Sequence, residues 1–237
     1  MLSEEKRLAE FVDHYRPFLV EIRRRIGQVG AAFAGGFVIG VAFHRKIIVS
    51  LIAVFNFENV NVVVTSPYQF VNLAINLGLF LGIVFAFPLL IFHLITFVRP
   101  AVTQREFKTI KQLFPLSILL FMIGSAFGVW MEQVIVSLYA RTSLEYSVSN
   151  IWDIQAFLSQ MIFMAAIMGI IFQLPIILTT LIKANLVSIE LLVAKRRVFY
   201  LFLIVFAILL PSTDILSLML IISPLLLLFE GTIFLNR

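Results

Sequence analysis

The sequence predicts an all-α, polytopic membrane protein that crosses the bilayer six times, with both termini on one cytoplasmic-type side. Three observations predict it. Hydrophobic residues make up 61% of the chain and charged residues 13%, against roughly 25% charged in soluble domains. Six apolar runs approach the roughly 20 residues a helix needs to traverse a hydrocarbon core. Lysine and arginine gather at one side of those runs. The connections are short, so residues 1–237 read as one membrane domain, an amphipathic segment over 1–24 followed by a six-helix core over 25–235.

The opening segment mixes acids with bases, and no cleavable signal with an early apolar core precedes the first span. Leu8, Phe11, Val12, Tyr15, Phe18, Leu19 and Ile22 recur at three- and four-residue steps, the pattern of an amphipathic helix on the cytoplasmic leaflet. Ser3 is its expected N-cap, and Pro17 is expected to interrupt it. The first span lies between Arg25 and His44. Ile47 to Phe55 is too short to cross and is expected in the opposite interface, and Asn56 to Thr65 reads as a polar-to-extended loop. The second span runs from Tyr68 to Val98, the third from Gln112 to Met131, and the fourth from Asp153 to Lys183. The fifth, Val198 to Leu210, has 13 residues and reaches only about 20 Å, short of the roughly 30 Å core, so the bilayer must thin around it. A sixth opens after Asp214. The long second span is expected to tilt, bend at Pro88 or protrude. Gly36-x-x-x-Gly40, Gly78-x-x-x-Gly82 and Gly124-x-x-x-Gly128 put small residues on one face of the first three spans, favouring close packing within the chain over a dimerisation face.

Orientation follows from the bases. The N-terminal segment holds six, the loops from Arg99 to Lys111 and from Lys183 to Arg197 hold four each, and Arg237 adds one; only Arg45, Lys46 and Arg141 fall on the other face. The positive-inside rule then places both termini in the cytoplasm, stroma or matrix. The net charge of +5 is therefore a membrane-topology signal and not one for nucleic acid. Cysteine is absent, which excludes disulfides, thiolate metal sites and a cysteine nucleophile. His14, His44 and His93 share no ligand spacing, so no metal and no cofactor are expected.

A few polar groups inside or beside the apolar runs need a reason. Gln173 stands ten residues before Lys183, near the membrane midplane, where an amide either bonds between helices or lines a cavity, with Pro175 opening the helix beside it. Glu230 lies in the last apolar run and is placed to pair with a base at the cytoplasmic edge. Asp214 is positioned to cap the sixth span. Glu21 stands four residues before Arg25, the spacing of a helix-surface ion pair, and Glu106 reads as a loop charge beside Arg105. No G-x-S-x-G, Walker loop or H-E-x-x-H occurs, so the chain is not read as an enzyme. The residues alone lead to a channel, transporter, translocase or assembly subunit.

Several motifs, in order, resemble the TatC family, the multispanning receptor of twin-arginine protein translocation. Phe18-Leu19-Val20-Glu21-Ile22-Arg23-Arg24-Arg25-Ile26 is similar to its H-L-x-E-L-R-x-R-L, and Thr65-Ser66-Pro67 to its T-S-P. Pro88, Phe97, Pro100 and Glu106 fit the end of the second span and the first cytoplasmic loop. Gly169 to Pro175 is similar to G-x-x-F-[EQ]-x-P, and Asp214, Ser217, Pro224 and Glu230 follow the pattern of its last span. Phe18 replaces the family's histidine, Pro211-Ser212-Thr213-Asp214 replaces T-P-x-D, and Gln173 stands where some members carry Glu, so nothing there changes charge.

The resemblance implies six spans with short fifth and sixth helices, in a bacterial cytoplasmic membrane or its mitochondrial inner or plastid thylakoid equivalent. It implies that Glu21, Arg23, Phe97 and Glu106 bind twin-arginine signal peptides of folded cargo, with transport driven by the proton-motive force. It also implies that Gln173, Pro175, Asp214 and Glu230 belong to an intramembrane region that meets the signal or TatA/TatB-type single-span partners in an oligomeric complex. Two competing readings remain at this stage: an ion- or proton-coupled secondary transporter using Glu230, Gln173 and Asp214, and a structural membrane assembly subunit.

Overall fold

Inside a bilayer each backbone N–H and C=O must be bonded within the protein, so a sustained apolar run becomes a helix. The computed structural model describes the backbone of residues 2–54, 61–99, 103–145, 151–210 and 215–236, and side chains chiefly from residue 20 onward. The elements are α1 (Leu2–Val54), β1 (Asn61–Val63), α2 (Gln69–Val98), α3 (Gln104–Glu145), β2 (Ile151–Asp153), α4 (Ile154–Ile171), α5 (Leu174–Lys183), α6 (Ile189–Ala194), α7 (Arg196–Ile208) and α8 (Ile215–Asn236). Five stretches of described helix are long and apolar enough to cross a membrane: Val20–Ala53, Gln69–Thr96, Ile110–Ala140, Ile154–Lys183 and Ser217–Asn236. The 13 residues of α7 reach about 20 Å, as the sequence suggests.

Several boundaries differ from the sequence reading. The first helix is continuous for 53 residues through Pro17, because a proline removes one intrahelical bond without ending a helix that is favoured on both sides. The run after His44 also stays within this helix. Ile48 is buried there against Leu73, Leu77 and Leu158, and that burial outweighs any tendency to stop at the exposed Arg45 and Lys46. The third helix extends well beyond Gln112 to Met131 at both ends. The sixth is not short: α8 has 22 residues, about 33 Å, since nothing between Ile215 and Asn236 except Pro224 interrupts its run.

The glycine motifs work within the chain. A Cβ on Gly36 would sit 2.5 Å from the Leu81 carbonyl oxygen, and one on Gly40 would lie 2.7 Å from Gly78 Cα. On the other hairpin, a Cβ on Gly124 or Gly128 would lie 2.5 Å from the carbonyl oxygens of Met168 or Met164. The α1–α2 and α3–α4 pairs are therefore pressed backbone to backbone. Packed against them are an apolar cluster of Met131, Met168, Leu203, Ile221 and Phe229, and a second where Phe87 stacks on Phe121 with centroids 4.6 Å apart.

At the end away from most of the bases, two short strands pair in parallel, with Val62 opposite Trp152. The loop was expected to become extended, but its pairing with Ile151–Asp153 was not anticipated. Beside it Asp153 caps α4, accepting from the Ala156 N–H at 3.0 Å, and also accepts from the Thr65 hydroxyl and the Gln69 amide. The clasp joins the α1–α2 hairpin to α4. It gives Thr65 of the Thr-Ser-Pro motif a physical task. The Thr65 hydroxyl first, and then the Ala156 N–H, hold the Asp153 carboxyl below its usual range. At α5's far end Asn185 adopts φ 56°, and Leu186 N–H bonds back to Leu181 O at 3.0 Å. This turn sends the chain sharply into α6.

Two predictions follow from this packing. Gly36→Ala should lower thermal stability in detergent by about 1–3 kcal/mol. The neighbouring Gly35→Ala, which meets nothing within 4 Å, should leave stability unchanged or raise it by up to about 1 kcal/mol. Because the Asp153 pKa is depressed, the clasp's contribution is present above about pH 4 and is lost as pH falls through the lower folded value. Asp153→Asn should accordingly flatten the acid limb of a stability–pH curve while leaving the neutral region's slope unaltered.

Candidate functional site

Helices α1 and α2 diverge from α4 and α5 toward the base-rich end and leave a cleft of about 860 Å³. Its walls are mostly apolar, including Phe87, Leu90 and Ile170, and its polar groups are Arg25, His93 and Gln173. Gln173 reaches it through a break in the helix. After Ile171 the chain passes Phe172 and Gln173, and α5 restarts with Pro175 in its first turn. Proline has no N–H to donate to the preceding turn, which favours a restart at this point. The Gln173 side chain is 1% exposed. Its amide donates to Ser117 O at 3.1 Å and Gly169 O at 3.4 Å, while Oε1 has no partner among the described residues. It thus ties the break to α3, the interhelical bond the sequence suggested, and it is among the residues that line the cleft.

At the mouth, Arg25 donates to the His93 carbonyl at 3.1 Å, bridging α1 and α2, and also pairs with Glu21. The i,i+4 ion pair anticipated from spacing is formed, and Glu21 is bound to a cation rather than free. Its side chain nevertheless stays 57% exposed, and in the described contacts only its Oε1 is engaged. Arg23 is exposed on the same helix. Glu106 belongs by backbone to the first turn of α3, not to a loop, because α3 starts earlier than its apolar run. The side chains of Glu106 and Phe97, and the whole of Asp214, lie outside the described residues.

A second cavity, about 570 Å³, adjoins the cleft on the side of the clasp, with Phe33 and Ile83 lining both. Asn76 of α2 and Ser159 of α4 meet there, Nδ2 to Oγ at 2.7 Å. Neither was singled out from sequence, although an asparagine within an apolar run is itself a signal. Glu132, 6% exposed on α3, was likewise missed, being counted just past the end of a span.

Comparison with known proteins gives the same answer from another direction. The sequence pattern of the family described as Sec-independent protein translocase protein (TatC) matches residues 17–224. The chain belongs to the TatC family. It is 29% identical over 224 residues to the Sec-independent protein translocase protein TatCy of Bacillus subtilis (strain 168), covering 92% of this chain and 87% of that one. It is also 29% identical over 235 residues to the chloroplastic TATC of Arabidopsis thaliana, covering 97% of this chain and 66% of the relative. A crystal structure of the twin arginine translocase receptor TatC in DDM superposes with a TM-score of 0.80 at 26% identity, covering 92% of this chain and 99% of that one. With its apolar spans, this TatC-family chain is a membrane protein.

Of the TatC-like motif residues in the last span, Glu230 has a defined setting. Its two oxygens are taken by two donors from α7, the Tyr200 hydroxyl on Oε1 and Arg196 Nη2 on Oε2 at 3.3 Å. One residue earlier on each helix, Phe199 stacks on Phe229 with centroids 5.3 Å apart. The expected pairing of Glu230 with a base is present, and it fastens the short α7 to α8. Because the ion pair is partly exposed, its Coulomb energy is screened and the hydroxyl bond matters comparably. Tyr200→Phe should cost about 1 kcal/mol in thermal stability. In a double-mutant cycle with Glu230→Gln, Tyr200→Phe should be coupled by about 0.5 kcal/mol or more; additive losses would show the joint to be inert.

Proposed function

We propose that this chain is the signal-peptide receptor of a twin-arginine translocation system, with the cleft at its base-rich end as the capture site. The carrying observation is that an apolar cleft of about 860 Å³ opens beside a carboxylate, Glu21, that is still 57% exposed. An arginine-led peptide with an apolar continuation matches both halves of that arrangement. In this reading Glu21 and Glu106 take the arginine pair, and Arg23 and Phe97 belong to the same signal-peptide site. A guanidinium offers a planar fork of donors that lysine lacks. At an effective dielectric of about 20, each contact at 4 Å supplies up to about 4 kcal/mol before desolvation, and Arg25 and the neighbouring bases subtract from it.

The topology required is six passes, with α7 as a short fifth span and both termini on the cytoplasmic, stromal or matrix side, where positive charge is retained. α7 and its C-cap present Leu201, Phe202 and Leu209 outward, a ridge suited to a single-span partner of the TatA/TatB type in a thinned bilayer. Gln173 and Pro175 serve this region at the break between α4 and α5, and Asp214 is assigned to it as a partner contact. Glu230 serves it by holding α7 in place.

The test is capture of a twin-arginine signal peptide by the full chain in detergent or nanodiscs, with a lysine-pair control. Wild type should retain the arginine peptide at least tenfold better, and Glu21→Gln with Glu106→Gln should erase that preference. Equal retention of both peptides by wild type, or an undiminished preference in the double variant, would overturn the assignment.

A further inference from the structure

The cleft does not end at its apolar floor. Beyond Phe33 and Ile83, which line both, a second cavity follows along α2, and from Leu94 to Asn76 the two together span about 27 Å. The two parts differ chemically. The base-rich part has Arg25 at its mouth, whereas the inner part is walled by phenylalanines and leucine over a floor of Asn76, Ser159 and Gln160, with no charged side chain in its lining.

A primary amide has two N–H donors and an acceptor oxygen, and a serine hydroxyl both donates and accepts. The described bond between them, Asn76 Nδ2 to Ser159 Oγ at 2.7 Å, uses one donor and one acceptor. The Asn76 oxygen and the Ser159 proton keep capacity for another partner. Both residues are half-buried at the cavity, not sealed between helices. A lipid chain offers such groups nothing, and polar groups at this depth are costly when unmatched.

We propose that Asn76 and Ser159 form a hydrogen-bonding subsite that selects a small, neutral, hydroxyl-bearing residue in the distal half of the apolar segment of a captured signal. Threonine or serine supplies a donor and an acceptor in a volume that fits a groove between helices. A charged residue finds no counter-ion there. The inference rests on the reading of the cleft as the signal site, and adds to it a preference at a defined depth, roughly 25 Å along the groove from the Arg25 mouth.

The experiment uses the full chain and synthetic peptides carrying an arginine pair followed by an apolar segment of about 18 leucines and valines. One valine at a time is replaced by threonine, its near-isostere. Wild type should capture one or two adjacent distal threonine peptides about fivefold more tightly than the rest, the size of one interhelical hydrogen bond in a membrane. Asn76→Leu should abolish that peak, and Ser159→Ala, a smaller change that tests the same subsite should the first variant fold poorly, should reduce it. A flat threonine scan with the arginine-pair preference intact would overturn the subsite alone. A peak that persists while Asn76→Leu lowers thermal stability would show the pair to be interhelical glue, and would overturn it too. Loss of any preference for the arginine pair over a lysine pair would overturn the cleft assignment together with the subsite.

Discussion

Two glycine seams set the geometry from which the rest of the molecule follows. Where Gly36 and Gly40 meet the backbone of α2, and Gly124 and Gly128 that of α4, helices approach as closely as backbones allow, and lipid cannot enter. Each seam makes a rigid hairpin. The hairpins are joined at one end by the Asp153 clasp and the β1–β2 pair. Toward the other end α1 and α2 part from α4 and α5, and the space between them becomes the groove.

That arrangement gives unlike tasks to polar groups that look alike in sequence. Gln173 sits at a helix break and bonds to Ser117 O on α3, so it stabilises the wall while lining the cavity. Glu230 accepts from a tyrosine and pairs with an arginine of α7, which fixes a helix too short to anchor itself across a bilayer. Glu21 keeps an exposed oxygen beside a pinned Arg25. Of these three groups Glu21 presents charge at the mouth of an apolar space, which is why the proposed capture role is given to it.

Much of this was legible in the chain. The apolar runs gave the helices, because in lipid the backbone leaves no alternative, and the segregated bases marked one end. The break at Gln173 was visible from Pro175, and the Glu21–Arg25 pair from its spacing. What failed depended on tertiary contact. Pro17 and the Ile47 stretch looked like boundaries, yet the helix continued where Ile48 found Leu73 and Leu158. The strand at Asn61 needs a partner 90 residues away at Ile151, which no local pattern announces. Asn76 and Ser159 are single polar letters in separate helices, and their meaning comes only from facing each other.

With the cleft as the capture site, the apolar part of an arginine-led peptide lies between α1 and α5. Photo-cross-linking from a single site tests it most directly. A cross-linker at Ile177, which lines the cleft, should form an adduct with the apolar segment of a bound twin-arginine peptide. One at Leu227, which is 73% exposed on α8, should not. Adducts from Leu227 as abundant as those from Ile177, or none from Ile177 when the peptide is demonstrably bound, would contradict the account.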